Sequence, residues 1–139
     1  MENTPKKKIL VVEDDVLLAK PLHERLVFAG FDVLVVPDAT LGLQEVLQHR
    51  PDLVILDLML PAGGGQTVLR GLRAFPHTAY IPVLVISGLK RDDDRETFAQ
   101  LDKLGIEGFL GKPFEDSRLL EEVRRILKKV DPDFVPEIR

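Results

Sequence analysis

Four short blocks of this chain carry side chains that could do chemistry together: Glu13-Asp14-Asp15, Asp57, Ser87-Gly88 and Lys112-Pro113. Taken singly, most have an ordinary explanation. Acids ahead of a helix commonly cap it, and a lone lysine before a turn is commonly solvated. Asp57 is harder to set aside. It directly follows the apolar run Leu53-Val54-Ile55-Leu56, where a carboxylate loses solvation unless something compensates. Acids converging from neighbouring strands repel one another, and a divalent cation removes that penalty. Oxygen ligands with no His or Cys beside them favour a hard ion, Mg²⁺ or Mn²⁺. A carboxylate nucleophile, such an ion and the Lys112 ammonium suit phosphoryl transfer, which depends on positioning and charge neutralisation. Ser87 adds a hydroxyl donor.

The elements that must position these groups are legible in the hydrophobic pattern. Short Val-, Ile- and Leu-rich runs at Ile9–Val12, Val33–Val36, Leu53–Leu56, Pro82–Ile86 and, more weakly, Gly108–Leu110 do not alternate. Such runs predict strands buried on both faces, as in a parallel sheet covered by helices. Helices are predicted over Val16–Ala29, Ala39–His49, Gln66–Phe75, Asp93–Leu104 and Asp116–Val130. Leu18, Leu22, Leu26 and Ala29 form the apolar stripe of the first; Leu119, Leu120, Val123, Ile126 and Leu127 form that of the last. Asp38 and Asp116 stand where N-caps belong, and Gly30 and Gly105 where C-terminal caps belong. Five β/α units imply a doubly wound, flavodoxin-like three-layer α/β sandwich with right-handed crossovers. With strand order 2-1-3-4-5, all four chemical blocks fall at the carboxyl ends of strands, on one rim. That shared position carries the argument.

Composition narrows the classes. The chain has 139 residues, 45% hydrophobic and 30% charged, with a formal net charge of −4. Direct nucleic-acid binding is not expected from that balance. Without cysteine there can be no disulfide, thiolate metal site or Cys nucleophile. The basic Lys6-Lys7-Lys8 runs straight into a strand too short for a signal core or a membrane span. A cytoplasmic protein without membrane attachment is expected. The predicted organisation is a lead-in over 1–7, one domain over 8–130 and a short tail over 131–139, where Pro132 and Pro136 forbid further helix.

Ile9-Leu10-Val11-Val12-Glu13-Asp14-Asp15, Leu56-Asp57-Leu58-Met59-Leu60-Pro61, Ser87-Gly88 and Phe109-Leu110-Gly111-Lys112-Pro113-Phe114 occur in the order and spacing of the receiver domains of two-component signalling, which this chain resembles. The resemblance implies that Asp57 is the phosphoacceptor and that Asp14, Asp57 and the Met59 carbonyl hold Mg²⁺, with Glu13 acting through a metal-bound water. Ser87 and Lys112 would bind phosphoryl oxygens, Phe109 would be the aromatic switch, and the bond before Pro113 would be cis. Asp15 is assigned only to the helix start. The implied protein is a single-domain response regulator. It would be no enzyme beyond promoting its own phosphorylation and dephosphorylation. It would receive phosphate from a sensor histidine kinase or a histidine phosphotransfer protein and switch binding of an unknown downstream protein through the α4-β5-α5 face, with dimerisation open.

Some features depart from that pattern. Ala62-Gly63-Gly64-Gly65 has more glycine than the single one expected, matched by Gly65, and predicts a floppy loop. The stretch from Ser87 to Lys112 is long by roughly one helical turn, with Lys90–Glu96 read as a solvated helix start. Pro21 lies too deep in the first helix for its first turn, which predicts a bend between Leu17 and Pro21. Val27 and Phe28 stand on the outer side of that helix, where a docking or dimer surface and packing under a loop are equally good readings. Two other functional classes compete. A phosphorylation-independent, receiver-like scaffold has no reason to assemble Asp14, Asp57, Ser87 and Lys112. An aspartyl phosphatase would want a second acid two residues past the nucleophile, where Met59 stands.

Overall fold

The computed structural model describes residues 5–137. Strands and helices alternate in five units: β1 (Lys8–Val12), α1 (Val16–Phe28), β2 (Asp32–Val36), α2 (Ala39–His49), β3 (Leu53–Asp57), α3 (Gly64–Ala74), β4 (Val83–Ser87), α4 (Arg95–Leu104), β5 (Gly108–Gly111) and α5 (Asp116–Val130). All strand pairs are parallel and the order is β2-β1-β3-β4-β5, as the sequence pattern predicts.

The period of two along each strand divides the core into two layers. Leu10, Val12, Val54, Leu56, Val83 and Val85 face α2, α3 and α4. Their neighbours Ile9, Val11, Leu53, Ile55, Leu84 and Ile86 face α1 and α5. Burial on both faces holds for β3 and β4 throughout and for β1 after Lys8. It fails for β2 and β5, which alternate or stay half-exposed because each is an edge strand with one neighbour.

The predicted stripes of α1 and α5 are buried, apart from a partly exposed Leu18 that packs against the same layer. Helix α1 continues through Pro21 without interruption, with Leu17 and Pro21 both on its exposed side. Asp15 caps α1 by accepting from the Leu17 amide, and Asp38 caps α2 by accepting from Leu41. Asp116 is not a cap. The first bonds of α5, from Arg118 and Leu119, end on the Glu115 carbonyl, so Asp116 is a first-turn acid that suits the helix dipole. Helix α3 begins two residues earlier than predicted. Gly63 and Gly64 take left-handed φ values of 103° and 76° and form a defined turn into the helix instead of a floppy loop. Helix α4 begins later than predicted, because Asp94 leaves the helix to cap it and accepts from both the amide and the hydroxyl of Thr97.

Beyond α5 the chain folds back. Asp131 pairs with Lys7 at 2.8 Å, and Phe134 stacks on Phe31 with ring centres 6.3 Å apart.

Candidate phosphoryl-acceptor site

At the carboxyl ends of β1 and β3, three carboxylates from Glu13, Asp14 and Asp57 offer oxygens within 4.8 Å of one another. Register explains the meeting. Val12 pairs with Leu56, so the residues that follow, Glu13 and Asp57, leave the sheet side by side. Glu13 and Asp57 are buried, whereas Asp14 is exposed.

The turn from β5 delivers the balancing charge. Lys112 Nζ donates to Glu13 Oε1 at 2.7 Å and to Asp57 Oδ2 at 3.0 Å. The other oxygen of Asp57 accepts the Met59 amide at 3.1 Å. The Lys112–Pro113 peptide is cis, as expected. Burial, reinforced by the neighbouring Asp57, pushes the Glu13 carboxyl up to about 7, and Lys112 offsets this only in part. For Lys112, burial opposes the charge, but the hydrogen bonds to Glu13 and Asp57 prevail and raise its pKa.

Ser87 ends β4 fully buried, on the side of the sheet that faces α4. Its Oγ accepts the Leu89 amide at 3.0 Å. Phe109 shares that side and is half-buried, packed edge-to-face on Phe98 of α4 at 5.2 Å. Gly65 closes the floor. A Cβ there would collide with the carbonyl of Asp57 and the Cα of Leu58, so only glycine lets α3 begin against the end of β3.

The donor set suits a hard cation. It consists of carboxylates with no nitrogen or sulfur ligand, and one ammonium cannot neutralise three acids. The structure thus brings together Glu13, Asp14, Asp57 and Lys112, and places Met59 beside Asp57. Ser87 ends β4, the strand next to the one that carries Asp57, and Phe109 lies on β5 one strand further, on the same α4-facing side of the sheet.

Two features of the surroundings were not anticipated. Glu13, which the resemblance implies acts through a metal-bound water, is the most enclosed of the acids and shares Lys112 with Asp57. Arg73 of α3 donates to the carbonyls of Ala79, Ile81, Leu104 and Gly105, bracing the approaches to β4 and β5. Nothing in the sequence distinguishes Arg73 from a solvated arginine.

The response regulator receiver domain family matches residues 9–124, and the chain belongs to it. Among its relatives, the DNA-binding dual master transcriptional regulator RpaA of Synechocystis is 36% identical over 124 residues, which is 89% of this chain and 50% of RpaA. The DNA-binding response regulator MtrA of Mycobacterium tuberculosis is 37% identical over 131 residues, 94% of this chain and 55% of MtrA. The chain therefore spans about half the length of these relatives. A solved receiver domain of the sensor histidine kinase PA1611 from Pseudomonas aeruginosa, with magnesium in its active-site cleft, superposes with a TM-score of 0.77. It is 26% identical, and the match covers 90% of this chain and 97% of that one. No helix among the described residues is long and apolar enough to cross a membrane.

Proposed function

We propose that this receiver domain accepts a phosphoryl group on Asp57 from a phosphohistidine of a sensor kinase or phosphotransfer protein. The observation that carries this reading is the placement of Asp57 Oδ2 on Lys112 Nζ, inside a cluster of three carboxylates at one sheet rim. An Asp57 oxygen attacks phosphorus, the O–P bond forms as the P–N bond breaks, and the imidazole nitrogen keeps the electron pair. Lys112 holds Asp57 in place and lies ready to offset charge on the phosphoryl oxygens, as Ser87 does once its hydroxyl turns. Asp14, Asp57 and the Met59 carbonyl, with Glu13 through water, would hold Mg²⁺ (or Mn²⁺), which when bound neutralises charge on the transferring group.

The signal then leaves through packing. Rotation of Ser87 toward the phosphoryl oxygens vacates space on the α4 side, which Phe109 can enter, altering the α4-β5-α5 face offered to a downstream protein. Phe109→Ala should leave labelling intact and weaken state-dependent partner binding. The central test uses acetyl phosphate and Mg²⁺. One hydroxylamine-labile phosphoryl group should be gained, Asp57→Asn should remove it, and Asp14→Ala should weaken the dependence on Mg²⁺. Undiminished labelling of Asp57→Asn refutes the site.

A further inference from the structure

The long β4–α4 connection contains a contact that the phosphoacceptor reading does not use. The Arg91 guanidinium lies 4.9 Å from the centre of the Phe98 ring, and its Nη1 donates to Asp102 Oδ2 at 2.8 Å. Phe98 is 1% exposed, held between Arg91 and Phe109. Two residues before Arg91, the Leu89 amide holds Ser87 Oγ, and the Leu89 and Phe109 side chains both pack against the buried cluster that contains Phe98. The segment from Ser87 to Arg91 is thus anchored at both ends: to the Ser87 hydroxyl, and through Arg91 to α4.

We propose that Arg91 is a positioning residue that latches the unphosphorylated state. This inference rests on the phosphoacceptor reading of the site. When Ser87 rotates its Oγ toward a phosphoryl oxygen, it leaves the Leu89 amide, and the strap loses its first anchor. Phe109, which touches the same Phe98 ring that Arg91 covers, must also move. Both changes disturb the surface on which the guanidinium sits. Contacts present in one state and disturbed in the other bias the equilibrium toward the first. Arg91 and Asp102 are each more than half exposed, so the bias is modest. A cation–π contact and an exposed ion pair together correspond to roughly a threefold to tenfold population shift.

The test uses beryllofluoride with saturating Mg²⁺, followed by calorimetry, on the full chain. Arg91→Ala should bind beryllofluoride about threefold to tenfold tighter than the wild type, and Asp102→Ala, which removes only the exposed ion pair, by a smaller factor of about fivefold at most. The double variant should gain little more, and Arg91→Lys, which keeps the cation, should stay near the wild type. In the ligand-free protein, amide exchange at Leu89 should be faster in Arg91→Ala than in the wild type, while exchange in β1 and β3 stays unchanged. Equal beryllofluoride affinity together with equal Leu89 exchange overturns the latch and leaves the phosphoacceptor reading standing. Failure of the wild type to bind beryllofluoride overturns the phosphoacceptor reading, and the latch with it.

Discussion

Lys112 Nζ lies 2.7 Å from Glu13 Oε1, nearer than the 3.0 Å that separates it from Asp57. The lysine is as much the counterion of Glu13 as the partner of Asp57. Removing it leaves a fully enclosed carboxyl without a cation, and that carboxyl answers by holding its proton more tightly. Lys112→Ala should therefore lower stability by about 1–3 kcal/mol at pH 8, with much of the loss recovered at pH 6. Denaturant unfolding at the two pH values checks this. Labelling by acetyl phosphate should fall by about 10-fold or more at both, since the charge that meets the phosphoryl oxygens is gone.

The raised Glu13 pKa predicts a pH dependence of its own. In the folded protein the group titrates near 7 against an ordinary 4.5, so the folded state binds this proton more tightly than the unfolded chain does. In Mg²⁺-free buffer stability should therefore be greatest below pH 4.5 as far as this group is concerned, and decline as pH rises from about 4.5 to 7. Metal reverses the sign, because a cation favours the ionised carboxyl. Mg²⁺ affinity should weaken below pH 7, approaching about tenfold per pH unit if one proton is displaced. Glu13→Gln should flatten that slope between pH 6 and 8, as read by calorimetric Mg²⁺ titration.

Gly65 offers a structural test of how tightly the connection from β3 to α3 is built. An alanine methyl would have to displace the backbone of Asp57 and Leu58, since no flexible side chain stands in its way. Gly65→Ala should cost about 1–3 kcal/mol and slow phosphorylation. Gly71→Ala is the control: the nearest atoms to its methyl are all on the Leu43 side chain, which can turn aside. A Gly65→Ala protein with unchanged unfolding midpoint and labelling rate would show that the loop yields freely.

The site was legible because its parts sit at strand ends, and strand ends are marked by the close of apolar runs. Leu53 to Leu56 announced Asp57, and Ile9 to Val12 announced Glu13 and Asp14. Less visible was which acid would be enclosed, since that depends on Lys112 reaching across the sheet from 99 positions further along the chain. Helix starts in glycine- and aspartate-rich stretches were misplaced for a related reason. Glycine admits left-handed turns that hide the true start of α3, and in Asp92-Asp93-Asp94 any of three acids could cap α4 until Thr97 picks the last. The exposure of β2 followed from its edge position, which a run such as Val33 to Val36 does not report.

On the proposed phosphoacceptor reading, phosphate lifetime should depend on the residues that flank the line of water attack, which the family resemblance places at Met59 and Leu89. Met59 is 66% exposed and Leu89 is half-buried, and neither side chain can orient water by hydrogen bonding. The phosphorylated state should outlast that of receivers with polar groups at both places. Met59→Asn with Leu89→Glu should shorten it several-fold, measured as loss of radiolabel after donor removal. An unchanged half-life in the double variant would place the control elsewhere.

The outer side of α1 gives the last prediction. Phe28 is 55% exposed and Val27 42%, while Val16 and Leu17 at the opposite end of the helix are 73% and 88% exposed. The Arg25 guanidinium lies 5.8 Å from the Phe28 ring, a contact that places a cation beside an aromatic on the same surface. Such a face suits a donor helix that brings its phosphohistidine to the adjoining rim. Acetyl phosphate needs no such face. Phe28→Glu should therefore slow transfer from a cognate histidine donor by about 10-fold, the scale of losing one good aromatic anchor, while labelling by acetyl phosphate stays at the wild-type rate. Val16 lies one residue past the cap of the same helix, nearer the site, so Val16→Glu should slow donor transfer at least as strongly. Equal slowing of both reactions in Phe28→Glu would mean the substitution damages α1 itself, and an unchanged donor rate in both variants would move the docking surface off this helix.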